Sequence, residues 1–172
     1  MKASRFSAGG YGFRPVSLED LPLLHLWLKT TEVKRWWGDA AREVALIEEG
    51  LDEAECAQWI VSRAGLGEFA YVQAYEVHVW PQRHLDDLPA GAMAIDPFIG
   101  VPAALGQGHG PGFLAALARH LLSLGAPIVS IDPDPHNSQA RRAYAKAGFE
   151  EIGLVETGEG PAVLMLMRPD GS

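Results

Sequence analysis

The chain has 172 residues, 48% hydrophobic and 21% charged, the make-up of a folded globular protein rather than a disordered one. Its net charge of −8 disfavours generic nucleic-acid binding, which needs clustered Lys and Arg, and suits a small cationic partner. The single cysteine, Cys56, excludes an internal disulfide framework and fits a reducing compartment.

One domain is expected at this length, with residues 1–10 loose. The opening MKASRFSAGGYGF lacks the basic start and apolar run of a signal peptide, so a cytoplasmic location is expected. Residues 11–17 read as a short strand. Ser17 and Asp20 form a capping-box pattern, and Leu21, Leu24 and Leu28 follow at helical spacing, giving a helix over about 19–29. WWG at 36–38 reads as a break. Residues 39–55 carry seven acids against one Arg, and a helix covers part of them. EFAYVQAYEVHVW (68–80) is a strand by its aromatic and β-branched content. A polar loop spans Pro81 to Pro89, and AMAID (92–96) is a short strand stopped by Pro97, where a bulge or strand end is expected.

The longest stretch without Asp, Glu, Lys or Arg, 97–118, holds five Gly and three Pro, so no membrane span is expected. LGQGHGPG (105–112) leads into Phe113, Leu117, Leu121 and Leu124, an amphipathic helix ended by Gly125. PIVSID (127–132) is a buried strand. Ala140, Ala143, Tyr144 and Ala147 share one helix face, capped by Gly148. FEEIGLVET and AVLMLMR flank TGEGP as a final hairpin. This order predicts an α/β (α+β) protein with a mixed sheet.

Two segments carry chemistry. Gly106, Gly108, Gly110 and Gly112 alternate between a strand and a helix. Glycines let backbone N–H groups approach an anion, and a helix N-terminus adds positive potential, so a pyrophosphate fits there. No Lys-Ser/Thr follows, which excludes a P-loop, and the turn lies too late in the chain for a Rossmann fingerprint. About 30 residues on comes N-x-x-A-x-x-x-Y-x-K-x-G-F: Asn137, Ala140, Tyr144, Lys146, Gly148 and Phe149.

Together the two motifs resemble the GNAT family of acetyl-CoA-dependent N-acetyltransferases, over about 90–168. The resemblance implies the GNAT fold, a twisted, mostly antiparallel sheet flanked by helices. A departure is Leu105, where the family often has Gln or Arg. WWG, Tyr71-x-Gln73-x-Tyr75, Ile95-Asp96, Asp132-Pro133-x-Pro135-x-Asn137 and Gly160-Pro161-Ala162-Val163 are similar to the aminoglycoside 6′-N-acetyltransferases of the type Ib group.

The resemblance implies acetyl-CoA as cosubstrate, its diphosphate held by backbone N–H groups of Gln107, Gly108, His109, Gly110 and Gly112. Pro111 has no N–H, which suits a first helical turn. Asn137, Ala140 and Lys146 belong to the same cofactor motif. Asn137 is expected at the pantetheine arm or as a helix N-cap. Transfer requires a neutral amine, and an aliphatic amine is only about 0.04% neutral at pH 7. The resemblance makes Asp96 the group that binds the ammonium and takes its proton, directly or through water. Tyr144 is implied at the departing sulfur as acid. The thioester oxygen needs a donor beyond Asp96; Pro97 has none, leaving the N–H of Phe98 or Ile99. The substrate would be bound by Trp36, Trp37, Gln73, Tyr75, Asp96, Asp132 and Glu159.

No metal is expected, and Cys56 reads as a packing residue. The side chain of His109 has no expected role. The expected partner is a small cationic amine, with no nucleic acid and no membrane, acting on a monomer or homodimer. The competing readings are an acyltransferase on a hydroxylysine-type siderophore precursor, a peptide N-acetyltransferase, and a non-catalytic acyl-CoA sensor. Asp96 and Tyr144 both being present argues against the last.

Overall fold

In a computed structural model, which describes residues 1–171, Gly9 and Gly10 both take positive φ, 59° and 83°. That is a two-residue turn whose twist suits a hairpin. It joins β1 (Phe6–Ala8) to β2 (Tyr11–Pro15) with Phe6 opposite Phe13, and the two rings stack at 4.4 Å. Residues 1–10, expected to be loose, therefore include a paired strand.

Ser17 and Asp20 form the expected capping box, with Asp20 accepting from the Ser17 N–H at 2.8 Å. A 3-10 turn at Leu18–Asp20 leads into α1 (Leu21–Leu28), whose Leu24, Trp27 and Leu28 are buried. Helix α2 (Thr31–Trp37) was not expected; it ends where Gly38 takes φ +87°. Val33 of α2 is buried and Trp37 packs partly buried on the same core, a short apolar face two turns long. Asp39 caps α3 (Ala40–Gly50), its side chain accepting from the Arg42 N–H.

Strand β3 (Cys56–Arg63) was also missed: residues 56–61 are all buried, so the run lacks alternation. It pairs antiparallel with β2. Strand β4 (Gly67–Glu76) is four residues shorter than expected at its C-terminal end. Strand β5 (Met93–Ile99) runs through Pro97 rather than stopping there. Its parallel register with β6 (Val129–Ile131) involves Met93 and Ala94, so Pro97 falls past that ladder and its missing N–H breaks no bond in it.

Helix α4 (His109–Ser123) begins inside the glycine-rich turn, and α5 (Ser138–Ala147) ends at Gly148 with φ +111°. Strands β7 (Glu150–Thr157) and β8 (Gly160–Met167) make the final antiparallel hairpin, and β8 also pairs antiparallel with β6. The strand order is β1-β2-β3-β4-β5-β6-β8-β7, a mixed, mostly antiparallel sheet accompanied by five helices, as expected.

The chain divides into two compact units: Met1–Ala74 with Asp96–His109, and Tyr75–Ile95 with Gly110–Ser172. In the first, Leu24, Trp27, Leu28, Ile60, Tyr71 and Phe98 form the core. In the second, Tyr75, Val77, Leu85, Ala94, Leu164 and Leu166 do so. Burying each Leu, Ile, Val or Phe side chain among them contributes roughly 1.5–3 kcal/mol. No helix among the described residues is long and apolar enough to cross a membrane.

Candidate active site

Residues two apart on a strand share a face, so Tyr71 and Gln73 go together on β4, and Cys56 and Gln58 on β3. These pairs build a hydrogen-bonded chain that ends on Asp96. The Gln58 amide donates to the Ile47 carbonyl at 3.0 Å, which turns its oxygen toward Tyr71. The Tyr71 hydroxyl donates to that oxygen at 2.5 Å and lies 3.2 Å from Gln73 Oε1. The Cys56 thiol reaches Gln73 Oε1 at 4.0 Å. Gln73 Nε2 then donates to Asp96 Oδ2 at 2.9 Å. Asp96, half-buried on β5, is thus a carboxylate with one oxygen fixed through a fully specified network.

Burial, then the Cys56 and Asp96 charges, push Tyr71 well above the usual tyrosine range, so it stays a neutral donor. Burial first, and the Asp96 carboxylate second, push the Cys56 thiol up to about 11. A thiol with that value is not a nucleophile at neutral pH.

The adjacent tryptophans separate. Trp37 meets Phe98 edge-on at 5.1 Å and Tyr71 at 6.3 Å, while the Arg35 guanidinium lies over Trp36 at 4.7 Å. Phe98 itself stacks on Tyr71 at 5.0 Å and is buried. Gly100 closes this segment: a Cβ there would lie 2.1 Å from Trp27, and its N–H donates to the Phe69 carbonyl at 2.8 Å.

In the glycine-rich turn, Gly106 and Gly108 take φ +69° and +82°. The first N–H groups of α4, those of His109 and Gly110, have no intrahelical acceptor. His109, whose side chain had no expected role, fastens this turn. Its Nδ1 lies 3.1 Å from the Tyr11 hydroxyl, and its ring packs on Phe69 at 5.4 Å.

The second unit holds the other candidates. Asn137 caps α5, its side-chain oxygen accepting from the Ala140 N–H at 3.1 Å, so one of its two expected roles is seen. Tyr144 is half-buried on α5 and Lys146 is exposed. Tyr75, expected to bind substrate, is buried in the core, and Gln82 donates to its hydroxyl at 3.2 Å. Glu159 is exposed at the tip of the β7–β8 hairpin. Asp132 follows β6, and His84 Nε2 lies 2.7 Å from its Oδ2. Among the described residues no three His, Cys, Asp or Glu side chains are grouped to hold a metal.

A family model described as an acetyltransferase (GNAT) domain matches residues 17–157. The chain belongs to the GNAT acetyltransferase family. It is 33% identical to the aminoglycoside N(6′)-acetyltransferase type 1 of Klebsiella pneumoniae, over 89% of this chain and 80% of that one. It is 37% identical to a kanamycin resistance protein of Rhizobium radiobacter, over 47% of this chain and 76% of that one. Among solved structures, AAC(6′)-Ib in complex with ribostamycin and coenzyme A is 29% identical, covers 92% of this chain and 93% of its own, and superposes with a TM-score of 0.80. The GNAT fold expected from the two motifs is therefore the fold observed.

Sequence reasoning missed Gln58 and His84. Gln58 had a signal, a polar residue inside an otherwise apolar buried run. The His84–Asp132 pair spans 48 residues and had none.

Proposed function

We propose that this GNAT enzyme moves the acetyl group of acetyl-CoA directly to the 6′-amine of an aminoglycoside, giving antibiotic resistance. The observation that carries the reading is the Asp96 carboxylate, held by Gln73 at 2.9 Å, in a chain 33% identical to an aminoglycoside N(6′)-acetyltransferase. Asp96 binds the substrate ammonium and takes its proton, directly or through water, which leaves a neutral amine to attack the thioester carbonyl.

The backbone N–H of Phe98 or Ile99 stabilises the oxygen of the tetrahedral intermediate. The nitrogen gives up its second proton to solvent as the C–S bond breaks, and Tyr144 gives a proton to the departing thiolate and regains one from solvent. The residues present fit a diphosphate: positive-φ glycines at 106 and 108 precede N–H groups that have no helical partner. Gln107, Gly108, His109, Gly110 and Gly112 hold the cosubstrate there through their backbone, with Asn137, Ala140 and Lys146 of α5 serving it as well.

Asp132 and Glu159 receive further ammonium groups of the sugar, and Trp36 and Trp37 contribute apolar walls. Gln73 acts by orienting Asp96. Tyr75, whose hydroxyl accepts from Gln82 and whose ring packs on Trp80, lines the same site from the start of the loop that follows β4. The reading takes residues 1–172 as one acetyltransferase domain, a metal-free cytoplasmic monomer or homodimer without nucleic-acid or membrane partners.

The test is thiol release from acetyl-CoA with wild type and Asp96→Asn. The panel holds kanamycin-like sugars with and without a 6′-amine, hydroxylysine and a basic peptide. The expected result is turnover of 6′-amino sugars alone, lowered about 10²–10⁴-fold in Asp96→Asn with acetyl-CoA binding retained. Turnover of hydroxylysine or the peptide instead would replace the substrate. Silence across the panel with coenzyme A still bound would make the chain a sensor. Full activity in Asp96→Asn would remove that residue as base.

A further inference from the structure

The loop between β4 and β5 is fastened along its length. Val77 N–H donates to the Ala92 carbonyl at 2.9 Å, and Gly91 N–H to Glu76 Oε1 at 3.1 Å. His78 Nε2 contacts the Leu88 carbonyl at 2.8 Å, and Trp80 packs on Tyr75 at 4.8 Å. Leu85, 2% exposed, anchors the middle of the loop in the core of the second unit.

The residue before that anchor is His84, its side chain 5% exposed, against a partly open Asp132 at 27%. A carboxylate only accepts, so Nε2 carries the proton of this 2.7 Å contact and donates to Oδ2. Asp132 is also held on its own chain, since Pro133, the next residue, accepts a hydrogen bond from the Val163 N–H at 2.9 Å.

We propose that His84 is a positioning residue for the amine substrate: it fixes the Asp132 carboxylate through Oδ2 so that Oδ1 meets one substrate ammonium without prior ordering. The proposal rests on the reading of Asp132 as an ammonium partner. A buried imidazole gives up little freedom to hold the carboxylate, and the carboxylate in turn loses less on binding the amine. His84 touches neither reacting group, so its contribution falls on amine affinity and not on the chemical step.

The experiment measures kcat and both KM values with a 6′-amino aminoglycoside for wild type, His84→Leu, His84→Gln, Asp132→Asn and the Leu/Asn double variant. The expected result for His84→Leu is a KM for the amine raised about tenfold, the size of one hydrogen bond to a charged group, with kcat and the KM for acetyl-CoA unchanged. His84→Gln, whose amide N–H reaches about as far as Nε2, restores most of it. In the Asp132→Asn background, His84→Leu adds nothing. Should His84→Leu not fold, His84→Asn, too short to reach, takes its place. An amine KM that rises in Asp132→Asn but not in His84→Leu overturns the role of His84 while leaving Asp132 as ammonium partner. An unchanged KM in Asp132→Asn removes the ammonium partner and the inference with it. Equal losses in His84→Leu and His84→Gln overturn the donor role.

Discussion

Tyr71 has one hydroxyl proton and two amide oxygens within reach of it. The 2.5 Å contact gives the proton to Gln58, and Gln73 Oε1 then depends on the Cys56 thiol. Cys56 must stay protonated to serve there, and burial beside Asp96 keeps it so up to about 11, against an ordinary value of 9.0. The folded chain therefore holds this proton to higher pH than the unfolded chain does. Between those two values the native state binds more protons, so stability falls as pH rises from about 9 to about 11. Relative to Cys56→Ala, wild type is expected to lose up to about 2 kcal/mol over that window, read from urea unfolding at a series of pH values. Parallel curves for the two proteins would show that the thiol does not carry this proton. Asp96 and Gln73 were both legible in the sequence, but not their contact: 23 residues separate them, and only strand pairing decides which faces meet.

Element boundaries followed where local chemistry set them. The Ser17–Asp20 box and the Asn137 cap were read from side chains that satisfy a helix start, and the Gly148 stop from a residue free to take positive φ. Strand β3 was missed because it is buried on both faces and shows no alternation, and helix α2 because it is only seven residues long and its last two, Trp36 and Trp37, fall in the WWG read as a break. Strand β5 was cut short by a rule about Pro97, which lies beyond the β6 ladder at Met93 and Ala94. Past Pro97 the path of β5 is set by Gly100, and Trp27, 6% exposed, has no room to retreat from an added Cβ. Gly100→Ala is expected to cost at least about 2 kcal/mol through overpacking and to lower Tm by roughly 5 °C or more. Gly158→Ala is the control, since nothing lies within 4 Å of a Cβ there, and its melting curve should match wild type. Equal melting of both variants would mean that the Trp27 contact does not fix the end of β5.

At the scale of the whole molecule, charge separates the two substrates. The chain carries −8, with 22 acids against 14 Lys and Arg, and seven of the acids fall within residues 39–55. An aminoglycoside is a polycation and acetyl-CoA an anion, so the same field attracts one and opposes the other. This asymmetry is independent of any single side chain; composition showed it before any element was placed. On the proposed reading, the cosubstrate depends on local donors, the N–H groups that open α4, whereas the amine also gains from the long-range field. Salt screens the long-range part first: the Debye length falls from about 10 Å at 0.1 M to about 3 Å at 1 M. Raising ionic strength across about that range is expected to lower kcat/KM for the amine severalfold and to leave kcat/KM for acetyl-CoA level or slightly raised. Steady-state kinetics at fixed pH with each substrate varied in turn reads both constants. A matching fall in the two would mean general inhibition by salt, and no change in either would mean that the acids do not draw the amine in.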